Sequence, residues 1–525
     1  MKKLLLILIA LPMIGFGQQT YVPDDNFENY LENNGMGNGI ANDDYVTTAN
    51  INTAGGLYID SQNISDLTGI EDFIALAALT CNDNQLTTLD LSNNTSLSYL
   101  ECWGNQLTTL DFSQNLLIDY LFCQDNQLTS LDLSQNTALN TLLCRNNQLT
   151  SLDVSQNFAL EYLNCYNNQL TSLDVSNNFA LITLYCEINQ LTSLDVSANT
   201  VLIDMWCNTN QLTTLDVSNN TALTYLSCSD NQLTSLDLSN NPALFNLSCW
   251  ENNLPNLNVS SNTNLTYLYC GTNQLTTIDL SQNPYLTGLM ADNNALTEID
   301  LSNNPNLTGV RLDNNLLNLL DLSYQDIQYL NCSDNQITDL IIDSDSLNEL
   351  FCGNNPISFF DATQHINLEI LEIFNTGLFN IDLSQNQYLW YLSIGSNPDL
   401  WSLDLSNNYF LEHLDLYSNS LSVLDMRNGN NQNISYFVTW NCWNSQFLEC
   451  ISVDDSTYST NNWTSIDTWH YFSNNCNPLA IEEYSSKKEL LKITDLLGRE
   501  IKGAKNQLLF YIYDDGIVEK KLVIE

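Results

Sequence analysis

The chain has 525 residues, 61 acidic and 13 basic, for a formal net charge of −48. Between positions 18 and 480 lie 52 of the acidic residues and only three basic ones, Arg145, Arg311 and Arg427. A surface of that sign repels phosphate backbones and anionic lipid headgroups, which argues against nucleic acid and membrane surfaces as partners. High charge can also mean disorder, but the apolar residues recur here with a strict period, which speaks for a packed core.

The first element is a targeting segment. Lys2 and Lys3 precede an apolar run from Leu4 to Phe16, 13 residues and too short to span a bilayer, and Gly15-Phe16-Gly17 supplies small residues for cleavage. Residues 1–17 are therefore expected to be a secretory signal peptide, with the mature start near Gln18. No Cys stands directly at that start to carry a lipid anchor. No later apolar run reaches 18 residues, so no membrane span is expected in the mature chain. Over 18–78, Asp24 to Asn34 (DDNFENYLENN) reads as a short amphipathic helix ahead of a degenerate coil near Leu57–Leu76. Together they predict an N-terminal cap.

From 79 to 436 the chain repeats itself. Eleven 21-residue copies begin at 79, 100, 121, 142, 163, 184, 205, 226, 247, 268 and 289, one of them LNCYNNQLTSLDVSNNFALIT (163–183). Looser copies begin at 310, 330, 350, 371, 392 and 414. In the regular copies, position 1 is Leu except at Met205, position 3 is Cys except at Ala291, positions 6 and 16 are Asn, and position 12 is Asp except at Asn258. The pattern L-x-x-L-x-C-x-x-N-x-L resembles the leucine-rich-repeat signature. The resemblance implies a solenoid in which positions 1 and 3 point inward from a short parallel strand and the Asn ladders satisfy turn backbone. No helical stripe appears in the copies. The expected fold is a β-rich leucine-rich-repeat solenoid with few or no full helices, followed by a small C-terminal β-sandwich.

After the array, CISVDDSTYSTNNWTSIDTWHYFSNNC (450–476) resembles the closing segment of related secreted bacterial repeat proteins. The resemblance implies a C-terminal cap over 437–480, with Cys450 and Cys476 bridged in an oxidising compartment. The last segment, 481–525, carries Ile493-Thr494-Asp495, then Leu497-Gly498-Arg499-Glu500, Phe510-Tyr511-Ile512-Tyr513, Gly516 and the closing KKLVIE. It resembles the C-terminal sorting domain of the Bacteroidota type IX secretion system, which implies an extracellular or outer-surface location and contact with that secretion machinery.

The pattern also raises chemical questions. The Cys ladder fits core packing, since free Cys packs as a small hydrophobe; disulfides between copies or a metal are the alternatives. The Asp ladder stacks like charges about 5 Å apart, which costs roughly 1 kcal/mol per pair in water. Hydrogen bonds to turn backbone or to the Ser two residues on would offset this; a divalent cation such as calcium is the alternative. The three His are isolated, and neither a nucleophile elbow nor a phosphate-cradling Gly loop is present, so binding is expected rather than catalysis.

Specificity is expected at positions 2, 4 and 5, which vary among the regular copies while their neighbours do not. They carry Trp103, Phe122, Tyr166, Tyr185, Trp206, Trp250 and Tyr269, with Phe351 in a later copy, and the charged Glu101, Arg145, Glu187, Glu251 and Asp292. Two readings fit: a binding face on the concave sheet for a protein or peptide ligand, or for a glycan stacked on the rings, and aromatics that merely cover one another along the sheet. A structural surface spacer is a further reading.

Overall fold

The computed structural model describes residues 17–439 and 448–476, and the backbone of three strands beyond them. The expected signal peptide up to residue 16, and Asp495, Leu497–Glu500, Gly516 and Ile524–Glu525 of the expected sorting motif, lie outside the described residues.

All seventeen expected position-1 residues, Leu79 to Leu414, are the centres of three-residue strands, and Leu57 and Phe437 centre one more at either end. These nineteen strands form one parallel sheet in which each copy pairs with the next, so that Leu163 stands between Leu142 and Leu184. The first strand, Gly56–Tyr58, and the last, Tyr436–Val438, each pair on one side only, so the sheet is open. At about 4.8 Å per strand it runs on the order of 90 Å.

The core follows from the repeat. In the 163 copy Leu163, Cys165, Leu170, Leu173, Val175 and Leu181 are all buried, each large side chain contributing about 2 kcal/mol. One copy offers these side chains no partner; stacking encloses them between neighbours. The twelve array cysteines are free and buried. Burial pushes their thiols up, to about 12 at Cys123 and Cys165, which leaves them unreactive packing groups.

The two Asn ladders, expected to share one role, differ. At position 6, Asn168 Oδ1 accepts from the Leu149 N–H at 3.0 Å, while Nδ2 donates to the carbonyls of Cys144, Cys165 and Tyr166 at 3.1, 3.1 and 3.3 Å. At position 16, Asn178 Nδ2 donates to the Val154 and Asn157 carbonyls at 3.0 and 2.8 Å, but its Oδ1 has no partner. The same oxygen is unpartnered at this position from Asn94 to Asn304.

The side opposite the sheet is extended or turned. Only a few copies form strands there: Leu319–Leu322 with Asp339–Ile342, and a four-stranded sheet of Ser402–Asp404, Val423–Asp425, Cys450–Ser452 and Tyr471–Ser473. Its last two strands show the C-terminal cap to be a continuation of the coil. Cys450 and Cys476 are bonded, Cα–Cα 5.7 Å, and Trp463 packs on Phe437 and Phe472 over the open core end, ring centroids 4.9 and 5.5 Å away.

At the other end a helix spans Asp25–Asn33. Asp24 caps it, Oδ1 accepting from the Asn26 and Phe27 N–H groups at 3.0 and 3.1 Å. The other oxygen takes the Ser65 N–H and hydroxyl at 2.8 Å, which ties the helix to the first coil. Phe27 and Leu31, one helical turn apart, face the core, and Phe27 stacks on Phe73. Beyond 476, the strands Leu490–Thr494, Gln507–Tyr513 and Val518–Val523 form one antiparallel sheet. A second layer, which a sandwich requires, is not among the described residues.

Candidate functional site

Each strand consists of positions 21, 1 and 2. Position 1 points to the core, so positions 21 and 2 share the outward face, with position 4 just beyond the strand end. The eight candidate aromatics sit at positions 2 and 4 of this face. Trp206 and Trp250 are 43% and 44% exposed, and the other six are half-buried.

Position 21 is the register that reading positions 2, 4 and 5 alone overlooks. It carries Tyr99, Tyr120, Tyr162, Tyr225 and Tyr267; Tyr99, Tyr162 and Tyr267 meet the candidates, while Tyr120 packs on Tyr99 and Tyr225 on Phe245. Phe122 lies edge-on to Tyr99 at 5.7 Å, Tyr269 against Tyr267 at 6.3 Å, and Phe351 against Tyr329 at 5.8 Å. Tyr162, Tyr185 and Trp206 form a continuous row at 5.7 and 5.2 Å. Period-2 alternation about position 1 was the available signal. Trp103 stands near this chain of rings through its indole N–H, 3.3 Å from Glu101 Oε2; Tyr166 has no ring partner among the described contacts.

Position 5 needs correction. It is a turn position, not a free one: Asp83, Asp125, Asn146, Asn167, Asp230 and Asn293 have φ between 50° and 57°, and Gly104 has φ 67°. The left-handed turn explains the run of Asp, Asn and Gly. Ile188, Thr209, Glu251 and Thr272 hold the same conformation at φ 49–54° and are strained there.

A groove of about 460 Å³ crosses the outward face between Trp250, Tyr269, Met290 and Arg311. Gly271 opens it: a Cβ there would lie 2.6 Å from Asp292 Oδ1. Arg311 is held between Asp313 at 2.8 Å and Asp292 at 3.6 Å, and its donation to Asp313 is the main cause that raises its pKa. Aromatic, thioether and guanidinium groups beside carboxylates make a surface for amphipathic ligands.

The Asp ladder lies on the other side of the coil. Asp111 Oδ1 accepts from the Ser113 N–H at 2.9 Å, and the bond repeats at Asp90, Asp132, Asp153, Asp174, Asp195, Asp216 and Asp237. The backbone N–H and hydroxyl of Ser113 hold Asp111 below the usual carboxylate range, and they outweigh the raising effect of Asp132 and Asp90. Among the described residues one group of three acids brings its oxygens within 4.8 Å: Asp25, Glu28 and Asp44. Both Glu28 oxygens already accept backbone N–H groups, of Asp43 and Asp44, at 3.1 Å.

No family model and no curated protein sequence matches the chain. Solved structures do. The functional domain of InlJ from Listeria monocytogenes, which includes a cysteine ladder, is 34% identical over 71% of this chain and 79% of that one, TM-score 0.59. A leucine-rich-repeat protein of Leptospira interrogans is 22% identical over 71% and 92%, TM-score 0.55. A plant peptide hormone receptor, RGFR1 in complex with RGF2, is 18% identical over 75% and 77%, TM-score 0.57. The last two share the fold alone. With the array, the Asn ladders and the first of these relatives together, the class is settled: a parallel β-solenoid built of repeats. The chain belongs to the leucine-rich-repeat proteins.

Proposed function

We propose that this protein is a secreted or cell-surface interaction module that binds a protein or peptide ligand across the outward face of its parallel sheet. The observation that carries this reading is the exposure of Trp206 and Trp250 on the outward face, Trp206 at the end of the Tyr162–Tyr185 row. Large exposed rings on one continuous surface are a cost in water unless a partner covers them. The Trp250–Tyr269–Met290 groove gives such a partner a place to seat an apolar side chain. The plant receptor structure, solved with RGF2, supports the use of this fold for peptide ligands. The leader-like residues 1–17 and the sorting-type motif at 493–525 support delivery outside the cell, through the type IX secretion machinery.

Arrays of immobilised proteins, peptides and glycans probed with the chain test the proposal. A protein or peptide hit that disappears when Trp103, Tyr185 and Trp206 are all changed to Ala supports it. Retention of the hit moves the site off this face, and a hit confined to glycans replaces the ligand class.

A further inference from the structure

On the outward face two neighbouring acids are buried or half-buried without a counter-charge. Glu187, at position 4, is only 8% exposed, and its Oε2 has no hydrogen-bond partner. Asp204, at position 21 of the next copy, is half-buried; its Oδ2 accepts from the Tyr185 hydroxyl at 2.6 Å while its Oδ1 has no partner. Tyr162, Tyr185 and Trp206 stand beside them on three successive strands, each ring against the next.

Two acids together on a folded surface call for a cation. The protein does not supply one. Residues 18–480 contain no Lys, and the three Arg pair with other acids: Arg145, whose charge reaches Tyr162 at the edge of this group, with Asp125 at 3.4 Å, Arg311 with Asp292 and Asp313, and Arg427 with Asp425. Burial, reinforced by the charge of Asp204, pushes the Glu187 carboxyl up to about 7, and burial raises Asp204 as well.

We infer that Tyr162, Tyr185, Glu187, Asp204 and Trp206 form a subsite for one arginine side chain of the partner peptide. The inference rests on the reading of the outward face as a ligand surface. The chemistry selects a guanidinium. It is planar, stacks on indole and phenol faces, and directs several N–H donors to oxygens of two different residues. A hydrated divalent cation seeks six or more oxygen ligands and gains nothing from a row of aromatic rings. The body charge of this acidic chain draws a basic segment to the face at long range.

The test is isothermal titration of the full chain with N-acetyl-arginine amide and with its neutral citrulline counterpart. The arginine probe is expected to bind, with the citrulline probe about tenfold weaker or more, a difference of roughly 1.4 kcal/mol. Glu187→Gln, which keeps shape and removes the charge, is expected to weaken the arginine probe about tenfold; Asp204→Asn serves as the second variant. Phe179→Ala, outside the sheet face, should leave binding unchanged. Thermal melting of each variant confirms that it is folded. Equal binding of the two probes, no binding of the arginine probe, or full binding by both acid variants overturns the inference. Displacement of the probe by calcium overturns it in favour of a metal site. A partner that still binds through Trp250 and Tyr269 while the arginine probe fails sinks the subsite alone. Arginine-probe binding without any partner on the arrays sinks the broader reading alone.

Discussion

Asn168→Ala and Asn178→Ala remove the same side chain from the two ladders within one repeat, and the structure assigns them unequal costs. Asn168 makes four hydrogen bonds, one of them accepting the buried Leu149 N–H. The Cys144 and Cys165 carbonyls it also serves each keep a second donor, Asn147 and Asn189 respectively. Its loss therefore leaves one buried amide unpaired, a penalty of about 1–3 kcal/mol, on top of the lost bonds, for about 3 kcal/mol in all. Asn178 donates only to the Val154 and Asn157 carbonyls, which also accept from the Asn157 and Leu160 N–H groups. Its removal orphans nothing and deletes an unpartnered oxygen, so about 1 kcal/mol is expected. Urea unfolding followed by circular dichroism and tryptophan fluorescence measures both, with coincidence of the two probes checked because repeat arrays can depart from two-state behaviour. Hydrogen exchange at the Leu149 amide gives a local readout, with protection lost in Asn168→Ala only. Equal costs in the two ladders, or an unchanged Leu149 amide, would refute the reasoning.

Three further outcomes follow from particular residues. Ile188 holds φ 51°, so Ile188→Asn should stabilise the array by about 1 kcal/mol; a melting temperature that does not rise counts against strain there. Burial raises the Glu187 pKa to about 7, above its unfolded value, so its contribution to stability is present at low pH and lost as pH rises through 7. Between pH 5 and 8 the native chain should lose on the order of 2 kcal/mol relative to Glu187→Gln, allowing for solvent at the rim of the site, and parallel pH profiles of the two proteins would contradict this. Replacing both Cys450 and Cys476 by Ser opens a loop with sequence separation 26 and should cost about 3 kcal/mol at the C-terminal end. Limited proteolysis should cut residues 448–476 faster while cleavage of the array stays unchanged, and equal cutting rates argue against that role for the bond.

Much of the fold was legible because its determinants are local and repeated. The apolar residue at position 1 located every strand of the main sheet from Leu79 to Leu414, and Asp24 with Phe27 and Leu31 announced the capping helix. The site was less legible. Varied residues at position 5 looked like free contact positions, yet their Asp, Asn and Gly content reported a left-handed turn. The Tyr residues of position 21 close one copy on paper, while in the strand they share the face of position 2.

By itself the sequence determined the 21-residue period, which side chains fill the core and where the array is capped, since each of these needs only the pattern of one copy and its repetition. Tertiary structure alone decided which groups become partners. Asp204 meets Tyr185 and Glu187 across neighbouring strands, and Gly271 opens a groove only because Asp292 of the next copy stands over it. These contacts join residues 17 to 21 positions apart in the chain, and no local pattern encodes them; stacking the coils creates them.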